Sequence, residues 1–245
     1  MVRIVDYDQR RRLVLAATIN RYIKEANPIS SLDIAKDFDL SPATIRNIFA
    51  DLEEAGYLTH PYTSGGRIPT GKGYRYYVDF LISQMELLEG EKYKILRQYQ
   101  DQANQLEEIL DKTSDLIAQV THYAGIASFL DRQDKFSYRG ISFVLNQPEF
   151  QDFRRVRFLI NLIEDKQQLL NIINRDFSQK TRVYIGQELD YPEMESYSLV
   201  VSSFGSKKRP LGRLAVLGPM RMEYNHIIPA LEYISNALSD VIEDF

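Results

Sequence analysis

Apolar residues in the first sixty positions recur at helical spacing in three short runs, and two short extended stretches then flank a glycine-rich turn. The first run, Leu13, Ala16, Ala17, Ile19, Tyr22 and Ile23, predicts a helix over residues 10–26 that Asn27-Pro28 stops. Ser30 or Ser31 caps a short second helix with Leu32, Ile34 and Ala35 turned inward, and Phe38-Asp39-Leu40 makes the turn after it. Ser41-Pro42 opens a third helix over residues 42–55. A hydroxyl cap is followed there by proline at the first helical position, where its missing N–H costs nothing, and Gly56 ends the helix in a left-handed conformation. Ile45, Ile48, Phe49 and Leu52 form one apolar stripe on this helix. Ala43, Asn47, Ala50 and Glu54 lie roughly opposite, with Thr44 and Arg46 on the flanks. Residues 57–61 and 67–69, joined across a Ser/Gly-rich turn, read as a hairpin.

Helical signals continue over residues 72–123. Leu96, Tyr99, Ala103, Leu106, Leu110, Thr113, Ile117 and Val120 follow alternating three- and four-residue steps, a heptad seam that suits either a partner helix or the chain's own core. A strand is expected at residues 125–130, an apolar stretch at 141–145 and helices over 150–173. Strands at 181–185, 198–204 and 213–217 follow, the last two joined across Lys207-Lys208-Arg209-Pro210, and a helix at 227–242 closes the chain. Gly218-Pro219 is expected to turn the chain, and Arg221 to bind backbone carbonyls or a carboxylate; with Tyr224 they form a structural or regulatory corner. The expected architecture is α+β and helix-rich. A winged helix-turn-helix spans residues 1–80, a long helical connector 81–123 and an α/β module 124–245.

Composition narrows the function. No run of about 18 apolar residues is present, so no membrane span is expected, and the cytoplasm is the expected compartment. The absence of cysteine removes disulfides and thiolate metal sites. His60, His122 and His226 are far apart and stand in no recognisable catalytic or metal-binding spacing, so neither enzyme, metal nor cofactor is expected. Net charge is −4, yet residues 1–80 carry 11 Lys+Arg against 10 Asp+Glu. A local field suffices at a DNA surface, so the acidic total does not argue against one.

Three short helices and a glycine-tipped hairpin form the layout that sets a third helix into the major groove and the hairpin against the neighbouring backbone. Arg46 suits guanine or a phosphate, and Asn47 suits adenine. Ala43 and Ala50 allow close approach; Ser41 and Thr44 beside the helix N-terminus suit phosphate. Ser64, Arg67, Lys72 and Arg75 add backbone contacts from the wing side. The layout also serves a protein-interaction module, which would need no exposed base-reading face. Residues 66–73 nearly match a phosphate-binding loop, but Gly73 stands where the magnesium-binding hydroxyl belongs.

The segments Ser41-Pro42-Ala43-Thr44-Ile45-Arg46-Asn47 and Asp51-Leu52-Glu53-Glu54-Ala55-Gly56-Tyr57-Leu58 resemble the recognition helix of HrcA, the bacterial heat-inducible transcription repressor family. Thr63 to Thr70 and Gly73 to Asp79 are similar to that family's wing and following helix. Gln147-Pro148-Glu149-Phe150, Val183 to Glu188 and Leu217 to Tyr224 resemble its later signatures in the same order. The resemblance implies a homodimeric repressor of chaperone genes on an inverted-repeat operator, a C-terminal module resembling a reduced GAF fold, and control by a chaperonin. A ligand-sensing regulator, with residues 218–224 lining a cavity, is the alternative. The chain departs from the family pattern at Ile48, Tyr62 and Gly65, and between Phe129 and Tyr138 it lacks the family's inserted dimerisation domain. Pairing then falls to the seam, with Leu96, Leu106, Leu110 and Ile117 as its expected contacts.

Overall fold

A computed structural model describes residues 7–61, 66–82, 106–130, 136–206 and 209–243. The chain divides into two compact units, residues 1–83 and 84–245.

The first unit contains α1 (Tyr7–Glu25), α2 (Ser31–Phe38), α3 (Pro42–Glu54), β1 (Leu58–Thr59), β2 (Ile68–Pro69) and α4 (Gly71–Ile82). Ser30 caps α2 by accepting the Asp33 N–H at 3.2 Å, and Asp39 closes it in the left-handed region at φ 52°. Ser41 caps α3 by accepting the Thr44 N–H at 3.1 Å. The expected stripe of Ile45, Ile48, Phe49 and Leu52 is buried where α3 packs on α1 and α2, whose Val14, Leu15, Ile19 and Ile34 are buried as well. Each such side chain contributes roughly 1.5–3 kcal/mol of burial before ordering costs. β1 and β2 pair antiparallel with Leu58 opposite Pro69, and Ile29 adds a third edge through paired backbone hydrogen bonds with Arg67 at 2.8 and 2.9 Å.

The second unit contains α5 (Leu106–Thr121), β3 (Ala124–Phe129), β4 (Phe136–Arg139), α6 (Ile141–Leu145), α7 (Phe153–Glu164), α8 (Lys166–Ile173), β5 (Thr181–Ile185), β6 (Tyr197–Ser206), β7 (Arg209–Pro219) and α9 (Tyr224–Glu243). The five strands form one antiparallel sheet in the order β4-β3-β7-β6-β5. Side chains alternate across a strand, so the sheet offers two faces. Ile126, Tyr184, Leu199, Val201, Ala215 and Leu217 meet Leu159, Leu162, Leu169 and Ile172 of α7 and α8 on one. α5 and α9 cover the other, where Ser202 of β6 donates to Ser235 of α9 at 3.0 Å.

Three expectations change. The stretch over 81–123 is not a separate connector along its described length, because α5 packs on β3 and β4 as part of the second unit. Leu110 and Ile117 are accordingly buried within the protomer, at 1% and 0% exposure. Leu96 lies outside the described residues, as does the side chain of Leu106. Gly218-Pro219 is the end of β7 rather than a turn, and the chain reverses after it at Met220-Arg221. Gly218 sits opposite Ser198, where a Cβ would approach Tyr123 and Met222 to 2.7 Å. Strand β4, unforeseen in the sequence, pairs with β3 as an edge.

Candidate nucleic-acid interface

The cap and stripe of α3 decide which residues look outward. With Ile45, Ile48, Phe49 and Leu52 turned to the core, Ala43, Arg46, Asn47 and Ala50 are exposed and Thr44 is half-buried. Among the described residues, Arg46 and Asn47 make no side-chain hydrogen bond or ion pair, so their donors face solvent. Ser41 is exposed and its hydroxyl lies 2.9 Å from that of Thr44. Charge is graded along the helix: the cation and the amide occupy its N-terminal half, and Asp51, Glu53 and Glu54 its C-terminal half. The helix dipole adds partial positive charge at the same N-terminal end. A polyanion is therefore favoured at one end only.

The wing-side cations are already engaged. Arg67 pairs with Glu53 at 2.9 Å, and the same carboxylate takes His60 on its other oxygen. Lys72 donates to the Ala55 carbonyl at 2.8 Å, capping the C-terminus of α3, and lies 4.7 Å from the centre of the Tyr57 ring. Arg75 meets Asp79 one turn along α4 at 3.5 Å. Ser64 lies outside the described residues, together with Tyr62 and Gly65. The base-reading candidates thus lie together on α3, whereas the phosphate candidates first serve the fold.

The near-match to a phosphate loop has a structural explanation. Residues 68–69 are strand, and Thr70 caps α4 by accepting the Gly73 N–H at 3.1 Å. A side chain at 73 would bring its Cβ to 2.3 Å from the Tyr57 carbonyl, so glycine is required there by close packing. Glu53 is the contributor that sequence reasoning missed. It ties His60, just after β1, and Arg67, just before β2, to α3, and nothing local announces the Arg67 pairing across fourteen positions.

In the second unit Arg221 meets a carboxylate: its Nε donates to Glu149 Oε1 at 2.5 Å and an Nη to the side-chain amide oxygen Oε1 of Gln147 at 2.7 Å. The Tyr224 hydroxyl bridges Ser198 Oγ and the Met220 carbonyl, each at 2.7 Å. Burial pushes the Tyr123 phenol beside this corner up to about 12. These residues join the 147–149 segment to the end of β7.

Two family models match. One, described as "Winged helix-turn-helix transcription repressor, HrcA DNA-binding", covers residues 7–79; the other, "HrcA protein C terminal domain", covers residues 100–228. The heat-inducible transcription repressor HrcA of Geobacter sulfurreducens is 28% identical over 340 aligned positions, covering 98% of this chain and 99% of that protein. That of Pelotomaculum thermopropionicum is 28% identical over 337 positions, covering 96% and 97%. With 245 residues in this chain, about 100 of the 340 positions hold a residue only in the Geobacter protein. A solved structure described as a hypothetical protein at 2.2 Å resolution matches with a TM-score of 0.79 at 17% identity, over 96% of this chain and 98% of its own, which supports the fold.

Proposed function

This chain belongs to the HrcA family, and from that premise we propose that it is a sequence-specific DNA-binding transcription repressor of the heat-inducible class, reading its operator through α3. The observation that carries the reading is the pairing of Arg46 with Asn47. Both are exposed, without a partner among the described residues, and at the helix end whose charge favours phosphate. Arg46 presents a planar fork of donors to guanine O6 and N7, and Asn47 presents a donor and an acceptor to adenine N6 and N7. Ala43 and Ala50 let the helix approach the base edges, while Ser41 and Thr44 serve the adjoining phosphates. Arg67, Lys72 and Arg75 hold the wing and contribute to backbone attraction from there.

An inverted-repeat operator requires two copies, so we read the functional species as a homodimer, acting in the cytoplasm where the DNA lies. The five-stranded antiparallel sheet with helices on both faces supports a reduced GAF-like reading of the second unit. Control by a chaperonin rests on the family resemblance, and adding purified chaperonin to a repression assay tests it.

Selection of bound fragments from random duplex DNA yields the operator. In competition shift assays on it, Arg46→Ala and Asn47→Ala should each lose about 1–3 kcal/mol of discrimination at one base position. Arg67→Ala should weaken all sequences alike and flatten the salt dependence. Indistinguishable behaviour of α3 and wing variants would refute this division of roles.

A further inference from the structure

The first turns of α1 carry Arg10, Arg11 and Arg12 against Asp8, a cationic stretch that neither α3 nor the wing includes. The Tyr7 hydroxyl donates to the carboxylate of Asp51 on α3, although 44 positions separate the two residues. Tyr7 is 47% exposed and Asp51 half-buried, so this link lies at the surface. Asp51 follows Asn47 by one turn of α3, four residues on. Arg11 follows Tyr7 by one turn of α1, and its charge acts on the Tyr7 phenol together with those of Asp51 and Asp8. A surface path thus runs from Asn47 through Asp51 and Tyr7 to Arg11.

The length of that path sets what Arg11 can reach. Residues four apart on a helix have Cβ atoms about 5–6 Å apart, so two such steps and one phenol bridge put Arg11 roughly 15–20 Å from Asn47. The major groove is about 12 Å wide and phosphates bound it on both sides. A chain with Asn47 at the base edges therefore has Arg11 within range of a bounding phosphate strand. Arg11 meets Asp8 at 3.6 Å with 37% and 65% of the two side chains exposed, so water screens the pair and the guanidinium is free to turn to a phosphate. Asp51 repels the same strand; the hydrogen bond from Tyr7 weakens that repulsion and ties α1 to the reading helix.

We infer that the first turns of α1 form a third DNA contact beside α3 and the wing, in which Arg11 donates to a backbone phosphate flanking the half-site and Tyr7 is its positioning residue. The inference rests on the reading of DNA by α3. A phosphate carries no base identity, so this contact lengthens the footprint and raises affinity for every sequence alike. A lysine ammonium also serves a phosphate, as a point charge.

Ethylation interference on the selected operator, with shift assays of the full chain across a salt series, tests this. Ethylation of the phosphates flanking the half-site should impair binding of the wild-type chain. Arg11→Ala should lose that interference and keep it at the phosphates facing α3. It should also bind operator and random duplex at least about threefold more weakly, with a salt slope lower by about one. Arg11→Lys should restore all three, and Tyr7→Phe should lose the flanking interference as Arg11→Ala does. Because Arg11→Ala also leaves Asp8 without its cation, Asp8→Asn is measured alone and combined with it. Asp8→Asn should tighten binding, and the double variant should stay at least about threefold weaker than Asp8→Asn. Wild-type interference confined to the phosphates facing α3, Arg11→Ala equal to wild type on a bound operator, a double variant as tight as Asp8→Asn, or flanking interference kept in Tyr7→Phe would each overturn the inference and leave the α3 reading intact. A wild-type chain that selects no DNA would overturn both.

Discussion

At the scale of single residues, the proposed phosphate contact of Arg67 meets one competitor, Glu53, which holds its guanidinium at 2.9 Å. The pair is partly exposed, so its own contribution to stability is small, about 0–1 kcal/mol. If Arg67 serves phosphate as proposed, the cost to DNA binding is direct, because the pair must open or share its charge first. Glu53→Gln should therefore tighten binding to operator and random duplex alike, by a few-fold at low salt, and steepen the salt dependence. Filter binding across a salt series checks this; a gain confined to the operator would mean that Glu53 acts through base recognition. Arg46 and Asn47 were legible in the sequence, because the spacing of Ile45, Ile48, Phe49 and Leu52 fixes where the opposite face lies. Glu53 was not, since its partners come from a hairpin whose approach depends on tertiary packing.

At the scale of elements, legibility followed periodicity. Strand β5 lies where its alternation predicts, and the strands of β6 and β7 only lengthen. β4 was missed because Phe136-Ser137-Tyr138-Arg139 is a four-residue edge, too short to show a period. The heptad seam left two readings open for a different reason: steps of three and four describe both a coiled coil and a helix lying on a sheet. The width of the apolar stripe separates them. Ile109, Leu110, Thr113, Ser114, Leu116, Ile117 and Ala118 are all buried, a face broader than a two-in-seven seam, and such a face suits a sheet. The Arg221 corner tests how the elements are held together. Arg221→Ala leaves Glu149 mostly buried without its cation, and should cost about 3 kcal/mol, the low end for breaking a buried pair. The melting transition of the second unit should fall while that of the first stays in place. A variant with unchanged melting but lost repression would assign Arg221 a contact role instead.

At the scale of the whole molecule, the two units have separate cores and opposite charge balance: residues 1–80 are net +1, which leaves −5 for the remainder. The acidic unit adds nothing favourable to the phosphate field by its net charge, and in the homodimer proposed above its expected service is to hold two winged helices together. About 100 alignment positions of the Geobacter relative have no counterpart here, so the pairing surface of the proposed homodimer is expected within the residues that remain. Joining two half-site readers makes the second binding event intramolecular, a gain of 10²–10⁴ on general grounds. Residues 1–83 expressed alone should thus melt cooperatively, retain the base preference of the full chain, and bind the inverted repeat roughly 10²–10⁴-fold more weakly. A single half-site should bind the fragment and the full chain to within a few-fold of each other. Sedimentation gives the stoichiometry, and shift assays on whole and half operators give the ratio. If the fragment binds the inverted repeat as tightly as the full chain, the pairing surface lies in the winged helix itself.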